Sequence, residues 1–491
     1  MPRNRKRVQP LQQPKIMPGQ SVAVLLVSIA LILLISRSGM NEVIKWLAAI
    51  VTLALMSVVM IKINRFRNLF IFYLIGGKRG ISFIESLSEI SPRFWIAMAD
   101  WGFVVSFGLL SLLFKRQVSK RMLAFGIVSS LLILNVVLPA SISALNFLNI
   151  PQITSKIAFT GAQTSAPAIT PTFVGVNLLT AACGFSVFIT LALVGSAVSI
   201  LYGIAVFLIS VSSHVPNYGA ISSQIPGIIP LIPGITLPLA AGIVAIAIML
   251  IVHEFSHGVL ARIAKVKVKE VGLLVLGFIP MGAYVEPDEA QMRKLPKEMQ
   301  NRILVAGVAS NILLGVISFA LLMLVVGYVL PHFISTSLSI SYLVPNSPAA
   351  NVIPVGAQVL YWNNIKITNS SSLLAIQHSE KPLSTVSLVT NKGNYSVISN
   401  STGKIGVGLS EITGPIKGSI ESSAVYFIYI VLSLSLLLNL LAGIVNLLPA
   451  PSLDGWQIYN LRIKNKRITR VLALLVFLSL LVNVLPWLYA V

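Results

Sequence analysis

Fourteen acidic residues and five histidines are spread through 491 residues, and three of them fall together inside an apolar run: His253, Glu254 and His257, in Ile248-Met249-Leu250-Ile251-Val252-His253-Glu254-Phe255-Ser256-His257-Gly258. On a helix, positions i and i+4 share a face, so the two imidazoles can converge on one Zn²⁺. Glu254, turned away by about 100°, can reach a water beside that ion. A chain of this composition contains His-Glu-x-x-His by accident about once in a thousand. Ionisable side chains inside a spanning helix are costly to insert, and they mark function or pair with one another.

A hydrolytic zinc site takes three protein ligands and keeps one position open. The only cysteine, Cys183, lies in an apolar run, so neither a disulfide framework nor a cysteine-ligated metal is available. His214, His332 and His378 sit in loops on the side away from the cytoplasm. Asp454 is the better candidate for the third ligand. It follows an apolar helix in Asn446-Leu447-Leu448-Pro449-Ala450-Pro451-Ser452-Leu453-Asp454-Gly455, where two prolines break the helix and leave irregular backbone that must face protein or a cavity.

The elements that position these residues belong to a membrane protein. Apolar residues make up 56% of the chain and charged ones 10%, far too few charges for a soluble surface. The net charge of +22 sits in short basic clusters between long apolar runs. That pattern encodes topology by the positive-inside rule and is not a nucleic-acid surface. The expected fold is an all-α polytopic membrane protein with about 8–10 transmembrane helices and a small extracytoplasmic β-rich domain. Spanning runs lie near 21–35, 44–62, 95–114, 122–138, 238–263, 303–330, 423–447 and 471–490, and 178–212 is either one long helix or a hairpin.

The basic N-terminal tail is expected in the cytoplasm, behind an uncleaved anchor. Lys115, Arg116, Lys120 and Arg121 also favour the cytoplasm, against the parity obtained by counting every run as a crossing. The alternating stretches in 331–422 read as strands, and the sequons at Asn369, Asn394 and Asn400 agree with a location outside. The run Val271–Val285, interrupted by Gly272, Gly277 and Gly282, reads as a re-entrant strand or loop whose backbone around Gly282 can pair with an unwound substrate. Asp100 is expected at the interface, and Gly76-Gly77-Lys78-Arg79-Gly80 in a cytoplasmic turn.

With His253–His257, the elements Asn446-x-x-Pro449-x-x-x-x-Asp454-Gly455 and Gly307-x-x-x-Asn311 complete a pattern that resembles the site-2 proteases, which are intramembrane zinc metalloproteases. Pro233-Gly234-Ile235-Thr236-Leu237-Pro238, Gly282-Ala283-Tyr284-Val285 and Gly414-Pro415-Ile416 are similar too, so the resemblance covers about 225–490. It implies that His253, His257 and Asp454 bind Zn²⁺ and that Glu254 is the general base. It further implies that Asn446 and Asn311 position substrate or polarise its carbonyl, with interhelical hydrogen bonding in a small-residue seam as the alternative for Asn311. The insert, with Val344-Pro345-Asn346-Ser347-Pro348, is similar to the PDZ-type domain of many members.

The expected segments are a basic tail (1–20), a divergent transmembrane bundle (21–220), the first part of the core (221–332), the PDZ-like domain (333–422) and the second part of the core (423–491). The implied substrates are transmembrane segments of membrane-anchored regulatory proteins, cleaved within the bilayer of the cell membrane. A transporter would be expected to show repeated halves with short paired helices, and the sequence has no such repeat. A prenyl-protein processing peptidase would take a glutamate as third ligand. An inactive protease homologue is disfavoured by the presence of all four core residues.

Overall fold

The computed structural model describes residues 17–486 apart from 41, 78, 115–117, 142–170, 214–216, 219, 221–230, 235, 368–380 and 417. Expectations for the first sixteen residues, Lys115, Arg116, His214, Asn369 and His378 therefore lie outside the described residues. The chain divides into two compact units, one of 1–142, 152–319 and 434–491, the other of 143–151 and 320–433. Among the described residues, nine helices are long and apolar enough to cross a membrane, as the hydropathy of the sequence leads one to expect.

In the first unit, helices α1 (Pro18–Arg37), α2 (Glu42–Asn64), α3 (Arg79–Ile90), α4 (Pro92–Phe107), α5 (Lys120–Leu132) and α6 (Pro171–Ser212) precede the segment that carries the chemistry. The long run is two helical pieces within α6, joined at a break at Gly184, where φ is 66° and ψ −173°. Helix α4 ends at a second break, Gly108, with φ 55°. The two breaks face each other, and a Cβ on Gly108 would stand 2.8 Å from the Gly184 nitrogen. Only glycine takes these angles cheaply and allows backbone to meet backbone.

Helix α7 (Leu239–Ile263) carries the two histidines. It ends in a Schellman turn, with Lys265 at φ 61° and the Val266 nitrogen donating to the Ala261 carbonyl. Helices α8 (Lys297–Leu324), α9 (Ile420–Val445), α10 (Asp454–Arg462) and α11 (Lys466–Val484) complete the set.

The first unit also holds a sheet, which an all-α membrane bundle does not provide for. Its strands β1 (Arg67–Leu69), β2 (Phe72–Gly77), β3 (Val268–Leu276) and β4 (Ile279–Pro287) run antiparallel in the order β1-β2-β3-β4. The glycine-interrupted run 271–285 is thus the β3–β4 hairpin. Gly76 and Gly77 are corrected from turn to strand, since they pair with Gly272 and Val271 of β3. A strand in this setting needs partners for every backbone group, and β2 supplies them along β3.

Asp100 has a partner on a distant helix. It receives a two-pronged bond from Arg302, Nε to Oδ1 at 2.8 Å and Nη2 to Oδ2 at 2.9 Å, which ties α4 to α8. Near this pair Gly102 packs against Ala309 so closely that a Cβ would collide with it.

The second unit contains strands β5 (Ile334–Leu343), β6 (Gln358–Trp362), β7 (Ile365–Lys366), β8 (Thr385–Thr390), β9 (Gly393–Ile398) and β10 (Val407–Pro415). The sheet order is β10-β5-β6-β8-β9, with β7 paired to β6. Asn363 and Asn364, both at positive φ, make the β6–β7 turn. Trp362, Ile340, Val359, Val386 and Leu388 form its core, in keeping with the β-rich insert read from alternation.

Candidate metal centre

His253 and His257 stand one turn apart on α7, and Asp454 is the first residue of α10. Their ligand atoms meet. Asp454 Oδ2 lies 3.2 Å from His253 Nε2 and 3.3 Å from His257 Nε2, and the two Nε2 atoms are 3.3 Å apart. Four-coordinate zinc with bonds of about 2.0–2.1 Å would hold its ligands about 3.3–3.4 Å apart, so this triangle is one face of such a tetrahedron.

The donor chemistry points the same way. His257 Nδ1 is 2.6 Å from the Ile303 carbonyl, which can only accept, so Nδ1 carries a proton and the neutral imidazole turns its Nε2 lone pair inward. Asp454 Oδ2 is buried with no hydrogen-bond donor among the described residues. Lone pairs converging without a proton repel one another unless a cation sits among them. On that test the three residues fit a divalent metal.

The shape of the centre depends on what is left out. A Cβ at Gly307 would stand 2.5 Å from His257 Nε2 and 2.6 Å from His253 Nε2, so α8 can approach the ligands only through a glycine. One turn on, the fully buried Asn311 brings its terminal amide to 3.2 Å from His253 Nδ1. Asp454 is held by the loop before it. The Gly455 nitrogen donates to the Asn446 carbonyl at 2.7 Å, and a Cβ at Gly455 would collide with the Leu447 carbonyl. Farther along α10, the Arg462 guanidinium faces the side-chain amide of Asn301 on α8, whose oxygen accepts from it when the amide is turned to present that atom.

Glu254 is close by, its Oε2 accepting from the Val285 nitrogen at 3.1 Å. That bond joins α7 to β4, the edge strand of the sheet. Gly282, also on β4, pairs with Leu274 of β3, and Asn446 sits half-buried just past the end of α9. Sequence reasoning brings together the histidines, Glu254 and Asp454, and the structure adds Ile303, whose carbonyl carries no sequence signal, and Gly307 as a contact of the ligands. His332 lies in the second unit.

Residues 241–485 match the model for peptidase family M50. An uncharacterized protein of Methanocaldococcus jannaschii is 28% identical over 232 residues, 46% of this chain and 58% of that protein. The chain therefore spans little more than half the length of this curated relative.

Replacing Gly307 with alanine forces a methyl group against both Nε2 atoms. The expected result is a folded protein with unchanged helix content that takes up much less divalent metal than the wild type, read by metal analysis of the purified protein.

Proposed function

Residues 241–485 belong to peptidase family M50, and from that premise we propose that this integral, multi-pass membrane protein is a zinc endopeptidase that cleaves transmembrane segments of membrane-anchored proteins. The observation that carries the reading is the triangle of lone-pair donors at 3.2–3.3 Å formed by His253, His257 and Asp454. Zinc bound there would supply Lewis acidity, polarising a scissile carbonyl and making water more acidic.

The chain's own residues do the rest. Glu254 is the general base: it takes a proton from the attacking water and returns it to the departing amine, so no covalent intermediate is needed. Its bond to the Val285 nitrogen orients one carboxylate oxygen and leaves the other for that proton. Ile303 holds His257 in the metal-binding tautomer through Nδ1. Asn311 serves His253 in the same way when its amide oxygen faces Nδ1–H, an orientation that also gives the otherwise unsatisfied Oδ1 a donor. This casts Asn311 as a positioning residue more than a substrate contact. Asn446, with no side-chain partner among the described residues, is the better placed of the two asparagines to meet a substrate carbonyl.

Substrate binding is proposed at β4. The Val285 nitrogen points away from β3, toward Glu254. By the period-two alternation of an antiparallel ladder, Ala283 presents its backbone on the same outer edge. An unwound substrate segment added there as a further strand would run beside Glu254. The insert, read as PDZ-like, would screen substrates by the size of their outer part.

Two outcomes test these roles in detergent-purified protein with a model transmembrane peptide. Glu254→Gln is expected to keep one zinc per chain and lose about 10²–10⁴-fold in kcat; cleavage at the wild-type rate removes Glu254 as the base. Gly282 has room for a side chain, because its Cβ would meet Leu274 at an ordinary 3.5 Å. Gly282→Leu is therefore expected to fold and keep zinc while cleaving more slowly, and unchanged turnover contradicts strand addition.

A further inference from the structure

The family match begins at residue 241, yet a residue well before it reaches the loop that delivers Asp454. Ser186 lies on α6, two positions after the break at Gly184, and is fully buried. Its Oγ donates to the Leu447 carbonyl at 2.9 Å and lies 2.7 Å from the Tyr459 hydroxyl. A serine hydroxyl has one proton, and here it goes to Leu447, whose carbonyl can only accept. The Tyr459 hydroxyl must then donate to Ser186. The result is a directed chain, Tyr459 O–H to Ser186 O–H to Leu447 C=O, in which each bond polarises the next.

The two ends of this chain flank Asp454. Leu447 opens the irregular loop, and Tyr459 is five residues into α10. From Leu447 to Leu453 the backbone is neither helix nor strand, so the position of the carboxylate rests on few contacts. Gly455 to Asn446 is one of them, and the Ser186 chain is another that spans the same loop from outside.

The paired breaks at Gly108 and Gly184 hold Ser186 in place, because they let α6 meet the end of α4 without intervening side chains. Phe107, at the end of α4, packs edge-on against the Tyr459 ring at 5.9 Å.

We propose that Ser186, acting with Tyr459, is a positioning residue for the metal centre, so that the bundle ahead of the matched segment is part of the catalytic unit. This rests on the reading of His253, His257 and Asp454 as metal ligands. In catalysis the consequence is a change in kcat with KM unaltered, since β4 and its edge are untouched.

The test measures Zn²⁺ affinity of the full chain in detergent by competition with a chelating dye, beside kcat and KM on the peptide. Expected are losses of about tenfold in zinc affinity for Ser186→Ala and a smaller loss for Ser186→Cys, whose thiol is a weaker donor. Tyr459→Phe should lose several-fold, and the Ser186→Ala/Tyr459→Phe pair should be little worse than Ser186→Ala alone, because both interrupt one chain. A purely structural role would lower the unfolding midpoint and leave zinc affinity unchanged. Affinities within twofold of wild type overturn the proposal; if Ser186→Ala does not fold, Tyr459→Phe decides it alone. Should the wild-type protein take up no zinc that His253→Ala abolishes, the metal reading fails and the role of Ser186 fails with it.

Discussion

Three lone-pair donors, two on one helix and one nearly two hundred residues later, face each other at 3.2–3.3 Å inside the protein. In an apolar interior such a cluster is repulsive unless a cation occupies it, and much of the surrounding structure serves to keep it assembled. Gly307 lets α8 press against the imidazoles. The Ile303 carbonyl takes the outer proton of His257. Asp454 is delivered by a loop that two prolines keep from becoming helix, and Gly455 folds that loop onto the end of α9. Each device acts on geometry, and the charge of a bound ion would do the remaining work.

The same unit solves a second problem, how to expose a strand edge in a membrane protein. An isolated hairpin of 268–287 would leave backbone groups unpaired on both sides. Pairing β3 with β2 satisfies one side, so the unused edge falls on β4, next to Glu254. Glycines at 76 and 272 keep the sheet face flat enough for the Tyr284 ring to lie over them, since a Cβ at Gly272 would stand 2.6 Å from that ring. The edge and the Glu254 carboxylate are thereby held in one frame.

Much of the centre was legible in the sequence because its signals are local. His253 and His257 are one helical turn apart, and Asp454 stands beside prolines and glycine that announce a broken helix. The spanning segments followed from hydropathy, and the β-rich insert from alternation. What escaped depends on long-range pairing. Strand β1 is short and pairs with β2, which in turn pairs with β3, about 200 residues on. Nothing near Asp100 in the sequence announces its partner Arg302, 202 positions away. Ser186 resembles any small residue of a helix seam, and its role exists only against Leu447 and Tyr459. Gly307 belonged to a recognised pattern, yet the reason for it, the two Nε2 atoms a methyl group would strike, is a fact of packing.

The central claim is that two imidazole nitrogens and one carboxylate oxygen share a single zinc ion. X-ray absorption at the zinc edge, on protein purified in detergent, measures this directly. The expected spectrum is four-coordinate, with nitrogen and oxygen neighbours at about 2.0–2.1 Å and the outer-shell scattering of two imidazoles. A sulfur shell, the signature of one imidazole alone, or protein that purifies without zinc and takes up none would contradict the account.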